Sequence, residues 1–516
     1  MFWSVASNGW PAPQRSVLLQ STPSAANLYT PDPGEFQVRI HPDGPLYVGD
    51  IISFEISSPA GSQLTPQNVH EVQAWVEGPI SSVPVQDLVQ RRIGSANFTT
   101  SFNPPGLNAT LSWAWDTGSL EPGWYQVTFA TDPTSFTWEE NIQLLPGEQL
   151  LSAQQGAHWA SVETNCCQLN YITGTQAERD LSILEQIADE EANKAAAQMG
   201  VDLNAPPANR ANAPSSLSKK PVVVNLIPRV IGNGGFTTDQ IYISYLDRNY
   251  ADSTFRQVLH HEIIHVLDAK LGGDLRPALF VEGLAVYESG GHFKPEPIVP
   301  RAAAAVDLGL YLPLKPLIDS FYSSQHEIGY LEGAALVTYL VQTYGWKGFN
   351  DFYRDIHATK DGTQSTPIDN ALQKHFQITL VQLENRFIQF LKYLPVTEDN
   401  KKDLQDTIQY YDTVRRYQEV LDPSAYFRQV WLPNADQMRK RGIVADYLRH
   451  PENPENIGLE SLLVGADADL RSARYDRLEA TLKQVPQEIT TYSSISPILQ
   501  ILGPEPKNFY LSIWEK

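Results

Sequence analysis

The chain has 516 residues, of which 42% are hydrophobic and 19% charged, and its formal net charge is −21. This balance excludes a disordered chain, and the negative field argues against nucleic acid or an anionic membrane as the main partner. A single hydrophobic core stops growing near about 250–300 residues, so roughly three folded units are expected.

The opening residues, MFWSVASNGW, lack the basic-then-apolar order of a signal peptide, and no stretch is apolar for long enough to read as a membrane span. Residues 1–34 are rich in Pro, Ser and Asn and read as an N-terminal arm. Over 35–150 the pattern becomes short alternating runs. FQVRI, IISFEI, EVQAWVEG, ATLSWAW, WYQVTFA and TWEENIQLL each read as a strand between turn residues. Such a series suggests an all-β sandwich of immunoglobulin-like architecture, without the Cys…Trp…Cys pattern of antibody domains.

Residues 151–396 change to a mixed pattern, α+β in class. HWASVETNCCQLNYI is strand-like, and Thr175 with Glu178 reads as a capping box opening a helix from Gln176 to Met199. The chain's two cysteines, Cys166 and Cys167, are adjacent; adjacent residues rarely meet disulfide geometry, so the pair reads as free, buried thiols. A polar Pro/Ala/Asn/Ser loop over 204–219 precedes an apolar strand, VVVNLI (222–227), and a second strand at 241–246. Asp252 or Ser253 then caps a helix running to Leu271, stopped by Gly272 and Gly273. Residues 397–516 read as a C-terminal helical region, clearest at 401–420 and 467–484.

The helix running to Leu271 carries His260-His261-Glu262-Ile263-Ile264-His265, an HExxH motif. Helical residues four apart lie about 40° apart around the axis, so His261 and His265 share a face and can hold one zinc ion. Glu262 stands beside that face. It cannot easily ligate the same metal, yet it can reach a water bound there, as a general base must. His260 points elsewhere and reads as packed, while Asp268 is placed to orient a ligand imidazole. Sixteen residues after His265 comes FVEGLAVY, with Glu282 at its centre. Glu288 and His292 follow closely enough to line a cleft.

HExxH followed by an EGLAxY segment resembles the gluzincin zinc metallopeptidases, in particular the peptidase MA-like family. The resemblance spans about 156–395. It implies a thermolysin-like α+β catalytic domain with His261, His265 and Glu282 as zinc ligands and Glu262 as general base. Family members also carry an oxyanion donor on a later helix. The matching segment, SFYSSQHEIGYLEGAALVTYLVQTYG (320–345), offers Tyr330 first, His326 second and Tyr322 third, on a helix over 327–343 stopped by Gly345. Strand 241–246 is similar to the family's cleft-edge strand and would pair with an extended peptide. Gluzincin aminopeptidases carry G-x-M-E-N; GNGGF (232–236) lacks its glutamate, which favours an endopeptidase over an aminopeptidase. The competing expectations are a catalytically silent zinc protein that binds rather than cuts, and an adhesion or scaffold protein. The expected partner is a peptide or protein substrate. The sandwich, the near absence of cysteine and the Pro- and Asn-rich segments suit an extracellular or envelope protein of a bacterium.

Overall fold

The computed structural model describes residues 36–495, apart from 60–61, 81–89, 103–104, 134–135, 153, 205–219, 229–233, 246–247, 252–253, 293, 325, 423–424, 426–434, 450 and 452. The arm at 1–34, most of the loop at 204–219 and the expected caps Asp252 and Ser253 lie outside the described residues. The protein is multidomain, with an N-terminal β-sheet unit, a mixed central unit and a C-terminal helical region.

Among the described residues, nine strands build the first unit: β1 Gln37–His41, β2 Leu46–Tyr47, β3 Ile51–Ser57, β4 Glu71–Glu77, β5 Arg91–Asn97, β6 Thr99–Phe102, β7 Pro105–Asp116, β8 Gly123–Asp132 and β9 Thr137–Leu145. They form sheets of order β1-β3-β7-β6 and β2-β9-β8-β4-β5. Strict alternation in β4 and β8 turns Val72, Ala74, Val76, Val127 and Phe129 inward. Phe54 of the first sheet meets Phe129 of the second edge-on at 5.4 Å, so the two faces share one core. The Tyr125 hydroxyl donates to the Glu121 carbonyl at 2.7 Å, which pins the start of β8. Strands β2, β5 and β6 were not legible in the sequence. β2 is two residues long, and β5 (RRIGSAN) is a half-exposed edge strand with no apolar alternation.

In the central unit, β10 Trp159–Glu163, β11 Cys167–Ile172, β12 Val222–Ile227, β13 Gly235–Thr237 and β14 Ile241–Ser244 form a sheet of order β10-β11-β12-β14-β13. β11, β12 and β14 run parallel, with antiparallel β10 and β13 at the rims. β12 is buried throughout, so it reads as a continuous apolar run. Strand β14 therefore lies inside the sheet: the rim expected at 241–246 belongs to β13, whose three residues gave no signal. The helix expected over 176–199 is two, α1 Gln176–Arg179 and α2 Leu181–Met199. No capping box forms there. Thr175 donates to the Ile172 carbonyl, and Glu178 instead accepts from the Gly174 amide.

The structure also corrects the reading of Cys166 and Cys167 as free thiols. They form a vicinal disulfide, and the turn that carries it is held by the Asp189 carboxylate, which accepts from the Thr164 hydroxyl and from the Asn165 and Cys166 amides. Among the described residues the unit continues with α3 Phe255–Leu271, α4 Ala278–Ser289, α5 Ile298–Asp307, α6 Leu314–Asp319, α7 His326–Arg354, α8 Ser365–Phe376 and α9 Leu380–Lys392. Thr254 caps α3, accepting from the Gln257 amide. α7 breaks at Gly345 (φ 75°), as the sequence implies, and then continues to Arg354.

The last region contains α10 Glu398–Leu421, α11 Ala435–Lys440, α12 Ala445–Leu448, α13 Pro454–Arg471 and α14 Tyr475–Ile495. The helix expected over 467–484 is the end of α13 and the start of α14, separated at Ala473 (φ 53°). Tyr417, Leu459, Leu463, Leu478 and Leu482 form its core. Segment 435–448 packs Met438 and Tyr447 against Trp113 of the sandwich and Tyr242 of the central sheet. Beside it Arg449 donates to both oxygens of Asp50, at 2.8 and 2.7 Å, and joins the C-terminal region to the first unit. No helix among the described residues is long and apolar enough to cross a membrane.

This junction carries a pH dependence. Asp446 is half-buried beside Arg449, and burial, with the nearby Asp43, pushes its carboxyl up to about 7 against the attraction of Arg449. Between about pH 4 and 7 the folded chain holds a proton that the unfolded chain has lost. That contribution to stability is therefore full below about pH 4 and is lost as pH rises toward 7. Asp446→Asn is expected to match the parent near pH 4.5 and exceed it at pH 8 by about 2 kcal/mol, read as Tm at the two pH values.

Candidate metal centre

Helix α3 is apolar on most of its surface, and Leu259, Ile263, Ile264 and Leu267 lock it under the sheet. That packing leaves one imidazole-bearing face. His261 and His265, one turn apart, bring their Nε2 atoms to 3.1 Å. Glu282, from the middle of α4, places Oε2 3.3 Å from each Nε2. The unprotonated nitrogen of a neutral imidazole and a carboxylate oxygen are both acceptors, so three such atoms converge around a shared proton or a cation. Ligand atoms about 2.0–2.1 Å from a tetrahedral zinc ion lie roughly 3.3 Å apart, which these separations fit. The three expected ligands are thus brought together and can hold a metal ion.

The electrostatics agree with a cation site. Burial pushes the Glu282 carboxyl up, but the His265 and His261 rings outweigh it and hold Glu282 well below the usual carboxylate range. Burial works against a proton on His265, yet Glu282 wins and carries that ring up to about 9. Glu262 is affected differently. It is buried in the same cluster, and desolvation raises its pKa despite the two rings. A buried carboxyl poised to hold a proton suits a general base.

Several side chains around the cluster were not legible in the sequence. Thr237, on β13, donates its hydroxyl to Glu262 Oε2 at 2.7 Å. Tyr322 donates to Glu282 Oε1 at 2.7 Å, leaving Oε2 to face the histidines. The Tyr322 hydroxyl, third among the expected donors, is thus engaged by Glu282. His260 is packed as expected, and its Nδ1 meets Glu191 of α2 at 2.8 Å. Asp268 does not orient a ligand ring: its carboxylate is engaged by Arg276, Arg354 and the Tyr353 hydroxyl. Half-buried arginines so near were not signalled by spacing along α3.

The other expected donors form one wall of the site. The His292 ring lies 5.8 Å from that of His261 and stacks on Tyr330 at 4.0 Å, while His326 lies 4.4 Å from Tyr330. Burial lowers both His292 and His326, the latter to about 3, so both rings are neutral at neutral pH. Glu288, at the end of α4, is raised to about 7 by burial.

No family model and no curated protein matches the sequence. Among solved structures, one described as a two-domain M1 zinc metallopeptidase mutant bound to L-tryptophan is similar at 12% identity and a TM-score of 0.27, covering 69% of this chain and 96% of that chain. A likeness of that depth carries no argument about function, and the case rests on the cluster itself.

Proposed function

We propose that the protein is a zinc-dependent peptidase of the gluzincin kind, with His261, His265 and Glu282 as ligands and Glu262 as general base. The observation that carries this reading is the convergence of two Nε2 atoms and one carboxylate oxygen at 3.1–3.3 Å, with a second buried carboxylate one residue from a ligand. When bound, zinc lowers the pKa of a water molecule and polarises a carbonyl group. Glu262 accepts the proton from the attacking water and passes it to the leaving amine nitrogen as the peptide C–N bond breaks. Tyr330, with His326 as second candidate, donates to the oxygen that becomes anionic. Tyr322 keeps Glu282 turned toward the two rings.

In the same reading the first unit is an immunoglobulin-like sandwich, supported by its strand order and the Tyr125 corner. An exported location fits a chain whose two cysteines are paired. Endopeptidase action is favoured because no G-x-M-E-N segment is present.

The test is metal analysis of the purified chain with a peptide-library digest. About one zinc ion per chain is expected. Cleavage should stop with 1,10-phenanthroline and return with added zinc. Cutting of N-acetylated peptides would separate an endopeptidase from an aminopeptidase. A chain without zinc, or cleavage indifferent to the chelator, overturns the proposal.

A further inference from the structure

The short rim strand β13 lies against α3 at Val258 and Glu262. Thr237 is 7% exposed and Glu262 4%, so their contact is shielded from water. The Thr237 hydroxyl has two acceptors in reach, the Glu262 carboxylate oxygen Oε2 at 2.7 Å and the Glu262 backbone carbonyl at 3.3 Å. The single proton goes to the shorter, charged acceptor.

The other carboxylate oxygen is fitted too. A Cβ on Gly235 would lie 3.0 Å from Glu262 Oε1 and 2.9 Å from Val258 Cγ1. Gly235 and Thr237 are two residues apart on one strand, so their side-chain positions face the same way and both address this carboxylate. The strand itself is held in place. It pairs with β14, and Gln240 in the following turn is gripped by Asn225 of the sheet and by Asp436 and Arg439 of the C-terminal region.

We infer that Thr237 is a positioning residue for the Glu262 carboxylate: it donates one hydrogen bond to Oε2 and thereby aims Oε1 and the remaining lone pairs into the site. This deepens the metallopeptidase reading and rests on it. Nothing in the contact touches His261, His265 or Glu282, so metal retention and base geometry should separate.

The test uses the full chain as parent, Thr237→Val and Thr237→Ser. Valine keeps the branched shape and removes the hydroxyl; serine keeps the hydroxyl. Zinc content should be equal in all three. In Thr237→Val, kcat should fall about 10- to 100-fold with KM within about two-fold, as for loss of a supporting hydrogen bond, and serine should restore most of it. A second readout does not need turnover. Acetohydroxamic acid, titrated into the cobalt-substituted protein and followed in the visible spectrum, gives its hydroxyl proton to a nearby carboxylate when it chelates. Its affinity should drop about ten-fold in Thr237→Val and recover in Thr237→Ser. An active parent matched by Thr237→Val in both readouts sinks the positioning role alone. So does a serine variant as impaired as the valine one, since packing would then be the cause. A parent that takes up no zinc or cobalt and cuts no peptide removes the peptidase reading, and this role with it.

Discussion

Replacing Glu262 with glutamine should leave metal content unchanged and lower kcat by about a thousand-fold or more. Glutamine has nearly the same volume, and its amide can still accept from the Thr237 hydroxyl that now donates to Glu262 Oε2. The three ligand atoms are untouched, because Glu262 lies beside their face of the helix and not on it. What disappears is a group that can take a proton from water and return it to the leaving amine. The measurement is a pair: zinc per chain by elemental analysis, and initial rates on a peptide cut by the parent. A glutamine variant that cuts as fast as the parent removes Glu262 from the mechanism. One that also loses zinc shows that the carboxylate supports the ligands rather than the reaction.

A second large effect is expected at a glycine that has no titratable side chain of its own. Gly283, next to Glu282, sits where α4 crosses α7 at Gly333. A Cβ at Gly283 would lie 2.5 Å from the Gly333 carbonyl carbon and 2.6 Å from its oxygen. Both atoms are backbone, so no side chain can swing aside and the helices must part. Gly333 is tight as well, with the Leu279 carbonyl oxygen 2.9 Å from its own ideal Cβ. Overpacking a core commonly costs about 1–3 kcal/mol and occasionally more, and a backbone clash belongs at the upper end. The damage should not stop at stability. α4 carries Glu282, and α7 carries His326 and Tyr330, so moving one helix off the other pulls the carboxylate from the histidines. Gly283→Ala should lower Tm by several degrees, roughly 2–4 °C per kcal/mol, and weaken zinc binding at least about ten-fold. Chelator competition on the folded fraction checks the second claim. A variant with parental Tm and zinc affinity would show that the crossing can relax at no cost.

How much of this was legible beforehand follows from the range of each interaction. The two histidines could be read as neighbours because an α-helix fixes its own geometry, and four residues always bring a side chain back to the same face. Six of the sandwich strands announced themselves through a period of two, and the end of the first part of α7 through Gly345. The motif around Glu282 suggested a third ligand by resemblance. Its position 3.3 Å from both rings depends on how α4 packs under α7, which two glycines set.

Nothing in the local pattern pointed to Thr237. It lies on a three-residue strand, and it meets Glu262 only because β13 pairs antiparallel with β14 in one register. A shift of one residue would turn its hydroxyl to the other face. Tyr322 likewise read as a candidate donor to substrate until the fold placed its hydroxyl on Glu282. The cysteine pair read as two thiols, because adjacency in sequence disfavours a bond that the turn held by Asp189 allows. Short-period order along the backbone therefore determined which residue types could bind a metal. Contacts between elements distant in sequence, whose register and crossing no periodicity encodes, decided which side chains meet those residues and which meets Glu262.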